Sequence, residues 1–256
     1  MRFDFTFIST FLFASAVLAD HSHDTCSSQI LDVVEKRTSA TSNSVKFVST
    51  TAGAVLKATT PTFLTVTGSI SVPFIWSKNN KSGVSIWVGI DGDPETHCNA
   101  VFAAGIVCTI DSDGPVYKAA AYWFSNNSSL IDFPNFDISH GDLVTVTVVV
   151  SDQNTGYATV QNLGNGTSKN ITRTLNFTAQ PPLCQLSAGW VVEKMPGRDL
   201  AHFGFVPILQ PMAYGQGQEE FTAGGSSVYD MTTDDGLPLT VVEAYGDLIR
   251  ITEKCV

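Results

Sequence analysis

Charge is scarce in this chain. Only 15% of its 256 residues are charged, and 24 acidic side chains outnumber 14 basic ones, for a formal net charge of −10. No basic stripe exists to meet phosphates, which argues against nucleic acid as a partner. The five cysteines and five histidines contain no Cys-x-x-Cys or His-x-x-x-His pair, so the usual zinc framework is missing and no metal is expected. The Gly-x-Ser-x-Gly elbow of serine hydrolases is absent, as is a phosphate-binding glycine loop, and no motif implies a cofactor. Beyond residue 19 no apolar run is long enough to span a bilayer. No glutamine lies between Gln29 and Gln153.

The one long apolar run opens the chain. MRFDFTFISTFLFASAVLAD has a basic Arg2, an apolar stretch and a small-residue end at Ala19, the pattern of an export signal over 1–19. A secreted, extracellular and soluble monomer is expected. Sequons at Asn80, Asn126, Asn127, Asn165, Asn170 and Asn176 agree with that route, since glycosylation needs exposed loops or edges. Residues 20–48 read as a short pro-segment or flexible N-terminal region, with a dibasic Lys36-Arg37 where cleavage after Arg37 would remove Cys26. Cys98, Cys108, Cys184 and Cys255 would then remain, enough for two disulfides in an oxidising compartment. His21 and His23 sit beside the signal end with no third ligand near.

From about residue 50 the chain is rich in strand signals. LTVTGSISVPF (64–74) and DLVTVTVVVSD (142–152) alternate apolar with polar or β-branched residues. Further strands are expected at 85–90, 101–110, 116–124, 157–163, 168–177, 189–194, 203–209, 237–245 and 247–253, separated by turn formers such as Asp91-Gly92 and Asp235-Gly236. The one helix-like segment is SSQILDVVEKR (27–37). Many short strands at regular spacing predict an all-β chain, a two-sheet antiparallel β-sandwich in one domain over 49–256. The acidic group Asp91, Asp93 and Glu95 reads first as a solvated turn and second as a calcium site. By pattern alone Glu193, closing the strand GWVVEK, is a solvated strand end.

Several stretches, taken in order, resemble the glutamic peptidase family, the eqolisins. SIWVGIDGD (85–93), followed by Cys98 and a small-residue strand ending at Gly105, carries the most specific part of the likeness. VYKAAAYWF (116–124) falls where the family has Tyr-x-Ala-Trp-Tyr-Glu-Trp. DISHGDLVTVTVVVSDQNTGYATVQNL (137–163) resembles its Ile-Ser-x-Gly-Asp segment, and LCQLSAGWVVEKM (183–195) its Leu-Cys…Ala-Glu-Trp-Ile-Val-Glu-Asp stretch. STTAGAVL (49–56) and FLTVTGSISVP (63–73) match upstream segments, so the likeness spans roughly 49–250.

That resemblance implies a concanavalin A-like or jelly-roll sandwich and an acid endopeptidase chemistry. A glutamate acts as general base on water, and a glutamine amide stabilises the oxyanion. By position the glutamate is Glu193. The glutamine position, two residues before Gly105, is Ala103; counting forward from Cys98 gives Ala104. Neither methyl donates a hydrogen bond. The family's Glu, Trp and Tyr at 122, 120 and 121 are Tyr122, Ala120 and Ala121 here, its Trp at 51 is Thr51, and its Glu at 189 is Gly189. The resemblance further implies a Cys98–Cys184 disulfide, leaving Cys108 and Cys255 as the other pair. Trp87, Tyr122, Trp123 and Trp190 are expected to line a substrate cleft, with core packing as the alternative for at least two. Three functions follow: a catalytically impaired protein that binds a polypeptide in the remnant cleft; an active acid endopeptidase using Glu193 with a substitute donor, a backbone amide, Asn99 or Tyr122; or a lectin-like glycan-binding module.

Overall fold

A computed structural model describes residues 45–124, 130–164, 171–178 and 181–254. The export segment, the helix expected at 27–37, Lys36-Arg37, His21, His23, Cys26, Cys255 and the sequon residues Asn126, Asn127, Asn165 and Asn170 lie outside these. Asn80 and Asn176 lie inside, and both are exposed.

Two sheets face each other. One runs in the order β1 (Val45–Val48), β15 (Ser227–Met231), β2 (Thr51–Lys57), β11 (Ser187–Lys194), β4 (Ser82–Asp91), β5 (Val101–Asp111), β6 (Gly114–Phe124), β7 (Ile131–Asp132), with β12 (Asp199–Leu200) beside β4. The other runs β10 (Ile171–Thr178), β9 (Thr155–Asn162), β8 (Leu143–Asp152), β3 (Phe63–Ser71), β13 (Phe205–Gly215), β17 (Leu248–Glu253), β16 (Thr240–Ala244), with β14 (Glu220–Thr222) beside β13. Pairing is antiparallel except at β1–β15 and β12–β4.

The second sheet is built as its sequence pattern demands. In β8, Val144, Val146, Val148 and Val150 are buried and the residues between them are half-exposed. On its outer face, hydroxyls pair across strands: Thr67 with Thr147 and Ser69 with Thr145, each at 2.8 Å. The first sheet differs because residues on both its faces are buried near the middle. Every residue of β4 is buried. Its inner face contributes Ile86, Val88 and Ile90, with Phe102, Ala104 and Ile106 from β5 and Trp190 and Val192 from β11. Trp190 is the largest fully buried side chain, and its indole N–H donates across the sandwich to the Thr67 carbonyl at 2.8 Å. A buried indole needs such an acceptor.

Burial on both faces also explains the strands that alternation does not reveal. β2 (TAGAVLK) and β15 (SVYDM) are buried almost throughout, so neither shows a period of two. Val45–Val48, expected within the flexible N-terminal region, instead extends the first sheet beside β15.

The corner after β4 corrects one expectation. Asp91 and Asp93 are buried and Glu95 is exposed, so two of the three acidic residues are not solvated. The Asp91 carboxylate accepts the backbone N–H groups of Cys184, Gln185 and Leu186 at 2.8 Å each and of Ser187 at 3.4 Å. Asp91 itself sits at φ 64°, a left-handed conformation that aspartate tolerates better than most side chains. Beside it Cys98 and Cys184 form a disulfide, as the resemblance implies. Cys108, in contrast, is a free thiol sealed in the inter-sheet core, so the expected bridge to Cys255 is not made.

Asp91→Ala should strip four amides of their acceptor. Hydrogen bonds to charged groups contribute about 1.5–3 kcal/mol each, and not all four are lost to water. A loss of about 3–5 kcal/mol is expected, read by urea unfolding with the disulfide intact. A loss below about 1 kcal/mol would show that this corner is not what holds β11 in place.

Candidate functional site

The outer face of the first sheet carries an open cleft of about 330 Å³. Its floor comes from alternate residues of adjacent strands, which must share a face: Gly189, Val191 and Glu193 of β11; Trp87 and Gly89 of β4; Val101 and Ala103 of β5; Tyr122 of β6. Thr51 and Val55 of β2, Val48 of β1 and Tyr229 of β15 form the near wall. Of the aromatic residues expected in a cleft, Trp87 and Tyr122 are there. Their rings meet edge to face at 5.0 Å.

Trp123 and Trp190 are not. Each is one residue out of phase with the cleft positions and points between the sheets. Trp123 stacks on Phe102 at 4.9 Å and donates to the Pro181 carbonyl at 3.3 Å. The same parity decides between Ala103 and Ala104: Ala103 lines the cleft, and Ala104 lies in the inter-sheet core. Asn99 is exposed and outside the cleft, which removes it as a substitute donor.

Glu193 is half-buried at one end of the floor, paired with Thr51 on one side and Ser85 on the other. Burial pushes its carboxyl above the usual carboxylate range; the Trp87 indole and the Thr51 hydroxyl counter part of that shift. The Trp87 N–H also donates to Ser85 Oγ at 2.9 Å, which fixes the indole plane against the floor. Tyr122 has its hydroxyl pushed up by burial and then by the charge of Glu193, so it stays a protonated donor.

The opposite end is closed by a charged cluster in which Lys46, Lys57 and Tyr229, marked by no motif, join Asp93 and Glu95 of the acidic group. Lys57 Nζ contacts Asp93 at 2.9 Å, Glu95 at 2.6 Å and the Tyr229 hydroxyl at 2.8 Å, and Tyr229 donates to Asp93 at 3.1 Å. Lys46 of β1 joins through Glu95. Burial alone would lower the Lys57 ammonium, but hydrogen bonds to Glu95, Tyr229 and Asp93 outweigh it and hold the group above its ordinary range. Glu95 is held down at about 2 by Lys46 and Lys57. Lys46, Lys57 and Tyr229 come from distant stretches, and no local pattern joins them. Asp93 also accepts the Glu95 N–H at 2.9 Å, starting the turn Pro94–Thr96.

The sequence pattern of the peptidase A4 family matches residues 49–252. The chain belongs to the peptidase A4 family. Among curated relatives in this glutamic peptidase family, aspergillopepsin-2 of Aspergillus niger is 30% identical over 236 residues, covering 81% of this chain and 78% of its own length. Among solved structures, scytalido-glutamic peptidase with a peptide-based transition state analog superposes with a TM-score of 0.67 at 23% identity, over 80% of this chain and 98% of that one. SCP-B, an eqolisin in complex with the tripeptide Ala-Ile-His, gives 0.64 at 21% identity over the same shares. The peptidase A4 fold is therefore that of the two-sheet sandwich described above.

The raised Glu193 carboxyl has a consequence for stability. A carboxyl whose folded pKa lies above its unfolded value favours the folded state fully below the unfolded value, about 4.3, and that contribution is lost as pH rises through the folded value. Glu193→Gln, neutral at every pH, should therefore melt higher than wild type at pH 7 and at the same temperature near pH 3. Paired thermal melts check this. An equal gap at both pH values would mean that Glu193 is not desolvated.

Proposed function

We propose that this chain is an exported glutamic-peptidase-fold protein that holds a polypeptide in its cleft and hydrolyses it poorly or not at all. The observation that carries this reading is Ala103: it stands on the floor of the same cleft as Glu193, and a methyl offers no hydrogen bond to an oxyanion. Glu193 retains what a general base needs, a half-buried carboxylate at the edge of an open cleft. What is missing is the donor that would steady the charge made when water attacks a peptide carbonyl. A single such donor contributes about 10²–10³ in rate. The peptide ligands named for the solved relatives support a polypeptide occupant. Export rests on the opening apolar run, and the Cys98–Cys184 bridge suits an oxidising compartment.

A second reading has an observation in its favour. Tyr122 pairs directly with Ala103 across β5 and β6, and its hydroxyl stays protonated beside Glu193. A tyrosine donor there would make the protein an active acid endopeptidase.

Peptide cleavage by purified protein between about pH 2 and 5, the acidic window implied by the family, separates the two. Wild type is expected to be inert or nearly so, and Ala103→Gln to raise cleavage by about tenfold or more. Cleavage by wild type that is lost in both Glu193→Gln and Tyr122→Phe would replace the first reading with the second.

A further inference from the structure

One cross-strand rank of the cleft floor is nearly bare. Val55 pairs with Gly189, Gly189 with Gly89, Gly89 with Ala103, and Ala103 with Tyr122. Three neighbours in succession carry only a hydrogen or a methyl. Adjacent strands lie about 4.8 Å apart, so the rank from Gly189 to Ala103 is a trough about 10 Å long. Val55 closes one end and Tyr122, leaning on Trp87, the other. The next rank on one side is Val191 and Trp87; on the other it is Asp91 and Val101.

The two glycines are there for different reasons. A Cβ on Gly89 would lie 2.8 Å from the Ala103 Cβ and 3.0 Å from the Phe102 carbonyl oxygen, so close strand packing demands glycine. A Cβ on Gly189 would lie 3.5 Å from Val55 Cγ2, an ordinary contact, and its backbone is not in the left-handed region. The fold does not require glycine at 189. The space above it is room for something else.

The trough walls also define what fits. Val55, Val191, Trp87 and Val101 are apolar. The Asp91 carboxylate is turned to the amides of 184–187, and Asp93 is taken by Lys57 and Tyr229, so neither presents a free charge. An ionic or strongly polar group would lose its water there with only the Tyr122 hydroxyl, at one end, as a partner. An apolar group would gain from burial.

We infer that the Gly189–Gly89–Ala103 trough is a side-chain pocket that selects polypeptides carrying a large apolar residue, such as Phe, Leu or Met, at the position lying over it, two ranks along the floor from Glu193. This rests on the reading that the cleft holds a polypeptide, and it names Gly189 as the specificity-determining position. Burying such a side chain instead of a methyl tightens binding by roughly 10- to 100-fold.

The test is binding of four capped hexapeptides, identical except for Phe, Leu, Ala or Glu at one central position. Titrations at pH 4 use full-length Glu193→Gln protein, so that no cleavage intervenes. Gly189→Ala and Gly189→Leu are added to that background; the first keeps ordinary contacts if the second proves unstable. The Phe and Leu peptides should bind about 10- to 100-fold tighter than the Ala peptide. Gly189→Ala should narrow that preference and Gly189→Leu should abolish it. Equal binding of the Phe and Ala peptides, or a preference untouched by both variants, would overturn the trough and leave the polypeptide cleft standing. If no peptide binds at all, the polypeptide reading itself falls and the inference with it.

Discussion

The placement of every cleft residue depends on how β11 is set against β4, and one buried carboxylate sets it. Asp91 ends β4 and gathers the four amides that lead into β11, while the neighbouring disulfide ties Cys98 to the same loop. A neutral amide side chain could not replace it, because four N–H donors need the acceptor capacity of both carboxylate oxygens. Burial pushes the Asp91 carboxyl up and the amides pull it back. Side chains alternate along a strand, so a slip of one residue in β11 would turn Glu193 into the core and Trp190 out to the cleft. The corner at the start of the strand and the Trp190 anchor to Thr67 at its middle therefore exclude the same error.

This parity divides labour within one sheet. The inner face is filled with Trp190, Phe102, Ile86 and Ile106, whose bulk holds the two sheets together. The outer face carries glycine, alanine and valine around Trp87, and its small residues leave volume where a second layer would otherwise sit. Large residues on one face and small ones on the other let the same strands carry stability and an open cleft without conflict. The charged cluster of Lys46, Lys57, Asp93 and Glu95 adds a wall that a purely apolar face could not provide, and it draws the N-terminal strand β1 into the site.

Much of this is legible in the residues, unevenly. The alternating strands of the second sheet follow from their period of two, and the order of motifs from SIWVGIDGD to GWVVEK singles out Glu193 with Ala103 or Ala104, of which only Ala103 lines the cleft. Strands buried on both faces, β2 and β15, carry no period and stay hidden. Aromatic content says that rings are present, while only register says which way they point; Trp123 and Trp190 belong to the core for that reason. The acidic group reads as solvated because its partners, the amides of 184–187 and the ammonium of Lys57, are far away in sequence. Long-range electrostatic partners leave no local trace.

Cys108 lies in β5 with no exposed surface, and burial drives its thiol well above the ordinary range. Reaction with an alkylating reagent requires a thiolate in contact with water. The folded sandwich supplies neither, so modification of Cys108 proceeds only through opened molecules. The side chain is thus an intrinsic clock for opening of the sandwich: its labelling rate reports how often the two sheets part, without an added probe.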